Sequence, residues 1–129
     1  MEFGYVFQDY ALLPELTAIE NVALPLLMQG LSQSIAYEKA GNSLKKVRLG
    51  DKFNNLPSQL SGGEQQRVSI SRAISHDPSI LFADEPTANL DNESSRVVMG
   101  IFNELHNDGQ TIIMVTHEGE VAEHAGRII

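Results

Sequence analysis

The sequence predicts an α/β fold built on parallel strands, with an all-helical segment placed between the first strand and the others. Three observations predict it. The runs "SILFA" (79–83) and "QTIIMVT" (110–116) are apolar throughout, as strands buried on both faces are. A helical pattern separates them, and strand, helix, strand in that order implies a right-handed parallel crossover. From about Thr17 to Ser58 only helical patterns appear, as in a subdomain inserted between strands.

Each element follows from local chemistry. "FGYVF" (3–7) is short, aromatic and β-branched, and reads as a strand ending at Gln8. "DYALLPEL" is a loop. Thr17 and Glu20 have capping-box spacing, so a helix starts near Ala18 and runs toward Gln29. Pro25 leaves its continuity open, and Gly30 ends it. Ser32 or Ser34 caps a second helix, with Ile35, Ala40, Leu44 and Val47 at helical spacing and Gly50 closing it. Ser61 and Glu64 form a second capping box, opening a helix from Gly62 to about Ser75 that "HDP" stops. Asn92 caps a further helix with Val97, Val98, Ile101, Phe102 and Leu105 on one side. Asp108-Gly109 turns the chain into the second apolar strand. A short helix near Glu120 to His124 and a strand beginning at "RII" are expected to follow.

Composition narrows the function. The 129 residues fit one domain, and 42% hydrophobic with 20% charged residues is an ordinary globular balance. A net charge of -8 argues against a general nucleic-acid binder. Five of the nine basic residues (Lys39, Lys45, Lys46, Arg48 and Lys52) cluster, which reads as a solvated helix face. Without cysteine there is no disulfide and no thiolate metal site, in keeping with a reducing compartment. No apolar run reaches membrane-span length, and the first residues lack a secretory layout. The expectation is a soluble, cytosolic chain whose membrane role, if it has one, runs through a partner.

Three strand ends carry chemistry. The strand of "ILFADEPT" (80–87) ends in Asp84 and Glu85. Open α/β sheets bind ligands beyond the carboxyl ends of their strands. A carboxylate there can hold Mg²⁺ directly or through water, and its neighbour can orient an attacking water. His117 ends "MVTH", where it could hydrogen-bond a γ-phosphate, and Gln8 ends the first strand, where its amide could meet water or Mg²⁺. Each residue alone also reads as an ordinary polar strand end. Together they converge on one edge. Ser61, Gly62 and Gly63 place a hydroxyl and unencumbered N–H groups at a positively polarised helix start. An ordinary N-cap accounts for Ser61 and Glu64. It does not account for two glycines in a first helical turn, where they cost stability.

These stretches carry a resemblance. "LSGGEQQR" (60–67) resembles the signature motif of ATP-binding-cassette (ABC) ATPases. "ILFADEP" is similar to their Walker B strand with its catalytic glutamate, "ANLD" (88–91) to their D-loop, "VTH" to the switch-histidine region and "VFQ" to the Q-loop. All five stand in the family's order across essentially the whole chain. "LLPELTAIENVALPLL" (12–27) further resembles the branch serving lipoprotein release and macrolide or peptide export. The resemblance implies part of a P-loop NTPase (RecA-like) three-layer core together with the ABC helical subdomain. Residues 1–16 would form the Q-loop strand and loop, 17–75 the helical subdomain with the signature helix, and 76–129 the Walker B, D-loop and switch-histidine core.

By position, the resemblance makes Glu85 the general base or water-positioning residue. Gln8 would touch Mg²⁺ and the attacking water and sense the membrane partner, and Asp84 would hold Mg²⁺ through water. His117 would contact the γ-phosphate. Ser61, Gly62, Gly63 and Gln65 would meet ATP bound to the opposite subunit, and Asp91 would help bridge the two. The implied cofactors are ATP and Mg²⁺. The implied partners are a second ATPase subunit in a head-to-tail dimer and a transmembrane permease. Nucleic-acid binding and direct membrane insertion are not expected, and the location is cytoplasmic, peripheral on the inner face of the membrane.

One part of the pattern departs. The family's G-x-x-x-x-G-K-[ST] loop cradles the β- and γ-phosphates, and this sequence contains no Gly-Lys pair. In related domains that loop and an adenine-stacking aromatic precede the Q-loop. The reading is therefore a partial ATPase domain, inactive alone, in which the "TIIMVT" edge lacks its neighbouring strand. Two other readings stand beside it: a non-catalytic docking module that completes a partner subunit's ATP site, and a piece of a soluble ABC ATPase.

Overall fold

The computed structural model describes residues 3–7 and 9–115. Gln8, His117, the expected helix near 120–124 and the expected strand at 127–129 lie outside the described residues. Strand β1 (Phe3–Val6) leads into helices α1 (Ala18–Met28) and α2 (Gln33–Lys46). A 3-10 turn (Pro57–Gln59) precedes α3 (Gly62–Ile74), and β2 (Ile80–Asp84), α4 (Asn92–Asn107) and β3 (Thr111–Val115) follow. The strands form a parallel sheet in the order β1-β2-β3, with Phe3 level with Ile80 and Ile80 level with Thr111. The parallel crossovers that the sequence implies are present.

Strand burial differs from the sequence reading. Along β2 and β3 it alternates instead of being complete. Val6, Leu81, Ala83, Ile112 and Met114 are buried. Helix α3 lies against this face so closely that a Cβ at Gly4 would fall 2.5 Å from the Ala73 carbonyl oxygen. Helix α4 packs on α3 and β3. The opposite face carries Phe3 and Tyr5, 49% and 46% exposed, with Phe82 tilted against Phe3 at 5.6 Å. Among the described residues helices cover one face only, and an apolar run cannot tell one covered face from two.

Helices α1, α2 and α3 pack on one another around Val22, Leu26, Ala36, Ala40, Leu44, Val68 and Ile70. Their starts agree with the sequence reading. Thr17 accepts from the Glu20 N–H and Glu20 accepts from the Thr17 N–H. Ser32, and not Ser34, caps α2. Helix α1 runs unbroken through Pro25. In the first turn of α2 the buried residue is Ala36, while Ile35 is 48% exposed.

Three helices end in the same way. The residue after the C-cap takes a left-handed conformation, and the next N–H reaches back to the third-last helical carbonyl. Gly30 does this for α1 (φ 96, Leu31 N–H to Leu26 O 3.2 Å) and Gly109 for α4 (φ 102, Gln110 N–H to Leu105 O 3.0 Å). For α2 the position falls on Arg48 (φ 65, Leu49 N–H to Leu44 O 2.9 Å), not on Gly50. A left-handed arginine costs about 1 kcal/mol relative to glycine. Two long-range contacts hold it: the Arg48 guanidinium pairs with Glu104 on α4, and Arg67 donates to the Val47 carbonyl at 3.2 Å. The N-cap of α4 is one residue earlier than expected. Asp91 accepts from the Ser94 N–H at 2.7 Å, and Asn92 is the first helical residue.

Candidate nucleotide site

The signature end of α3 is built by its own cap. Ser61 Oγ accepts from the Glu64 N–H at 3.1 Å, and Glu64 Oε1 accepts from the Ser61 N–H at 2.9 Å. That fixes the first turn, whose N–H groups have no acceptor inside the helix and carry its positive polarisation. Ser61 and Gly62 are exposed there. A Cβ on Gly62 would meet Leu90 and the Tyr10 hydroxyl no closer than 3.4 Å.

Gly63 is different. It is buried, and a Cβ there would sit 2.9 Å from Ser94 Cβ and 3.0 Å from Ser94 Oγ. The second glycine of the pair is therefore required by the close approach of α3 to the start of α4. That approach also places the Asp91 cap beside the signature turn. Gln65, expected as a ligand contact, directs its amide to the Leu60 carbonyl at 3.3 Å.

Asp84 and Glu85 stand at the carboxyl end of β2, both partly exposed. Glu85 is left-handed, with φ 43. Its N–H donates to the Val115 carbonyl at 2.7 Å, carrying the β2–β3 ladder one residue past the strand. Ala88 N–H to Glu85 O and Leu90 N–H to Thr87 O complete a tight turn leading to Asp91. Among the described residues no three acidic or histidine side chains gather into a metal cage. A lone carboxylate at an accessible strand end suits Mg²⁺, which keeps several waters and shares its ligands with phosphates.

Two residues that the sequence reading did not single out connect these parts. Gln66, fully buried, donates from Nε2 to the Pro86 carbonyl at 2.7 Å. Arg72 donates to the carbonyls of Ala11 (2.8 Å) and Tyr10 (3.0 Å), two consecutive left-handed residues after β1. A signal for Gln66 was present, since a glutamine shares the buried stripe of Gly63, Ile70 and Ala73 on α3. Nothing local marks Arg72. Asn21, 2% exposed, was also missed: it accepts from the Leu13 N–H and donates to the carbonyls of Leu13, Leu16 and Thr17, folding the loop before α1.

The sequence model of the family described as "ABC transporter" matches residues 1–88. The chain belongs to the ABC transporter family. A macrolide export ATP-binding/permease protein, MacB of Aggregatibacter actinomycetemcomitans, is 54% identical over 128 residues, which is 99% of this chain and 20% of that protein. The lipoprotein-releasing system ATP-binding protein LolD of Aquifex aeolicus is 48% identical over 128 residues, 99% of this chain and 57% of LolD. Among solved structures, the dimeric post-hydrolysis state of the ATP-binding cassette MJ0796, bound to ADP and Pi, superposes with a TM-score of 0.82 at 41% identity. It covers 99% of this chain and 57% of that one. The ABC fold class expected from the motifs is thus the observed one. The chain spans a fifth of MacB and little more than half of LolD.

Proposed function

We propose that this chain carries part of the nucleotide-binding subunit of an ABC transporter of the macrolide-export and lipoprotein-release branch, working with ATP and Mg²⁺. The observation that supports it most is the joined construction of the two ends. The exposed Ser61–Gly62 turn and the Asp84–Glu85 turn are held in one unit by Gln66 and by the Gly63–Ser94 contact. In this reading Ser61 and the first-turn N–H groups of α3 contact the γ-phosphate of ATP on an opposite subunit, and Asp91 lies at that interface. Gln65 would need to leave Leu60 to join them. Asp84 holds Mg²⁺ through water, and Glu85 orients the attacking water and takes its proton. Gln8 and His117 are proposed for the same site, as Mg²⁺ and γ-phosphate contacts. When bound, Mg²⁺ supplies positive charge that offsets charge on the transferring phosphoryl group. Residues 1–16, 17–75 and 76–129 serve as Q-loop segment, helical subdomain and catalytic core. The partners are a second ATPase subunit and a permease that holds the chain at the inner membrane face. No described helix is long and apolar enough to cross a membrane.

The sequence lacks a Gly-Lys phosphate loop, so the 129-residue chain alone does not turn over ATP. Phosphate release from the purified chain should equal that of Glu85→Gln, and Glu85-dependent turnover would refute this. The intact signature end also favours a second reading, in which the chain docks on a complete subunit and finishes its site. Titrating it into a full-length related ATPase should then change that enzyme's phosphate release, and a Ser61→Arg chain should not.

A further inference from the structure

We propose that Gln66 is a positioning residue for Glu85, tying the signature end of α3 to the turn that carries the proposed base. The inference rests on the reading of Glu85 given above. Glu85 occupies a left-handed backbone conformation that a non-glycine residue holds only when its surroundings impose it. Among the described residues three restraints contribute. On the N-terminal side the Glu85 N–H is fixed to Val115. On the C-terminal side the Ala88 N–H closes the turn on the Glu85 carbonyl. In the middle the Pro86 carbonyl accepts from Gln66 at 2.7 Å.

The third restraint differs in kind, because it comes from another element. Gln66 lies one turn from Gly62, the first residue of α3, whose start is clamped by the reciprocal Ser61–Glu64 cap and by the Gly63–Ser94 contact. A displacement of the signature end passes along one rigid helical turn to Gln66 and then to the peptide next to Glu85. Burial strengthens the link. The Gln66 amide is out of water, so losing this bond strands its donor and the Pro86 carbonyl together. Among the described residues Gln66 Oε1 has no hydrogen-bond partner, and Nε2 makes the side chain's hydrogen bond to this turn. Whatever meets Ser61 in one composite site is therefore sensed at Glu85 of the neighbouring one.

Residue-resolved amide exchange on the full chain tests the assignment. Gln66→Met keeps the volume and removes the donor. The Glu85, Ala88 and Leu90 N–H groups should then exchange about tenfold faster, while Leu81, Ile101 and Ile112 keep their wild-type rates. Gln66→Glu adds a pH readout. The neutral acid can donate to Pro86 and the carboxylate cannot, so turn protection should be lost as pH rises through that acid's titration, after correction for intrinsic exchange. Unchanged turn rates in Gln66→Met, or turn and core rates rising together, would overturn the proposal. If Gln66→Glu fails to fold, Gln66→Met decides alone. Exchange in the free chain is independent of turnover, so the phosphate-release assays on Glu85→Gln test the catalytic reading separately.

Discussion

Replacing Gly63 by alanine separates the two reasons a glycine can stand in the signature turn. Helix propensity alone favours the change by up to about 1 kcal/mol. The structure opposes it. The new methyl would lie 2.9 Å from Ser94 Cβ, a distance that real methyl contacts do not reach, and both atoms sit on helices fixed by reciprocal or single caps. Overpacking of this kind costs about 1–3 kcal/mol, so Gly63→Ala should be net destabilised by about 1–2 kcal/mol, a loss of about 4–8 °C in Tm for a chain of this size. Gly62→Ala, whose methyl meets nothing nearer than 3.4 Å, should be neutral or slightly stabilised. The decisive variant is the double one. Ser94→Gly leaves Ser94's Cα position at 3.7 Å as the nearest remaining atom, an ordinary contact. Gly63→Ala with Ser94→Gly should therefore recover about 1–3 kcal/mol beyond additivity, the whole of the overpacking cost. Urea unfolding followed by circular dichroism measures all four corners of the cycle. A Gly63→Ala chain as stable as wild type, or a cycle without coupling, would show that the helices do not meet as described and would return Gly63 to the ligand-facing role.

Two further outcomes follow from the polar contacts. Asn21→Ala removes an acceptor from the Leu13 N–H and a donor from three carbonyls at a buried site, and should cost about 2–4 kcal/mol with a Tm loss near 10 °C; a loss under 1 kcal/mol would mean that water replaces the side chain. Asp91 and Glu20 each titrate below the ordinary carboxylate range, Asp91 because the Ser94 backbone N–H donates to it and Glu20 because the Thr17 backbone N–H does. A depressed folded value means that the stabilisation is complete above the ordinary value and is lost as pH falls through the depressed one. The urea midpoint should drop on that acid limb, and Asp91→Asn, which keeps a cap without the charge, should make the drop shallower; an unchanged slope would remove Asp91 from the account.

What was legible in the sequence was what is decided locally. The Thr17–Glu20 and Ser61–Glu64 boxes, Gly30 and Gly109 each involve residues within a few positions of one another, and each stands where the pattern placed it. The misplacements came where distant residues decide. Asp91 and Asn92 are both good caps, and it is Asp91 that takes the extended backbone of a cap and accepts from the Ser94 N–H. Arg48 takes the left-handed position because Glu104 and Arg67, far along the chain, hold that corner. The strand runs looked doubly buried because apolarity records affinity for a cover, not the number of covers. The site followed the same rule. Its motif residues could be read off directly, whereas Gly63 against Ser94, Gln66 on Pro86 and Arg72 on Tyr10 and Ala11 join segments that no local pattern connects.

The sheet register has a consequence for the chain's own entropy. Phe3 pairs with Ile80 across the whole of α1, α2 and α3, while Ile80 pairs with Thr111 across α4 alone. Closing the longer loop is only slightly more unfavourable, because each doubling of the intervening chain adds about 0.6 kcal/mol. The length of the helical block between the first two strands therefore adds little to the closure cost. Its burden is kinetic. Non-local parallel pairings of this kind form slowly, and the β1–β2 pairing spans the longer stretch of chain.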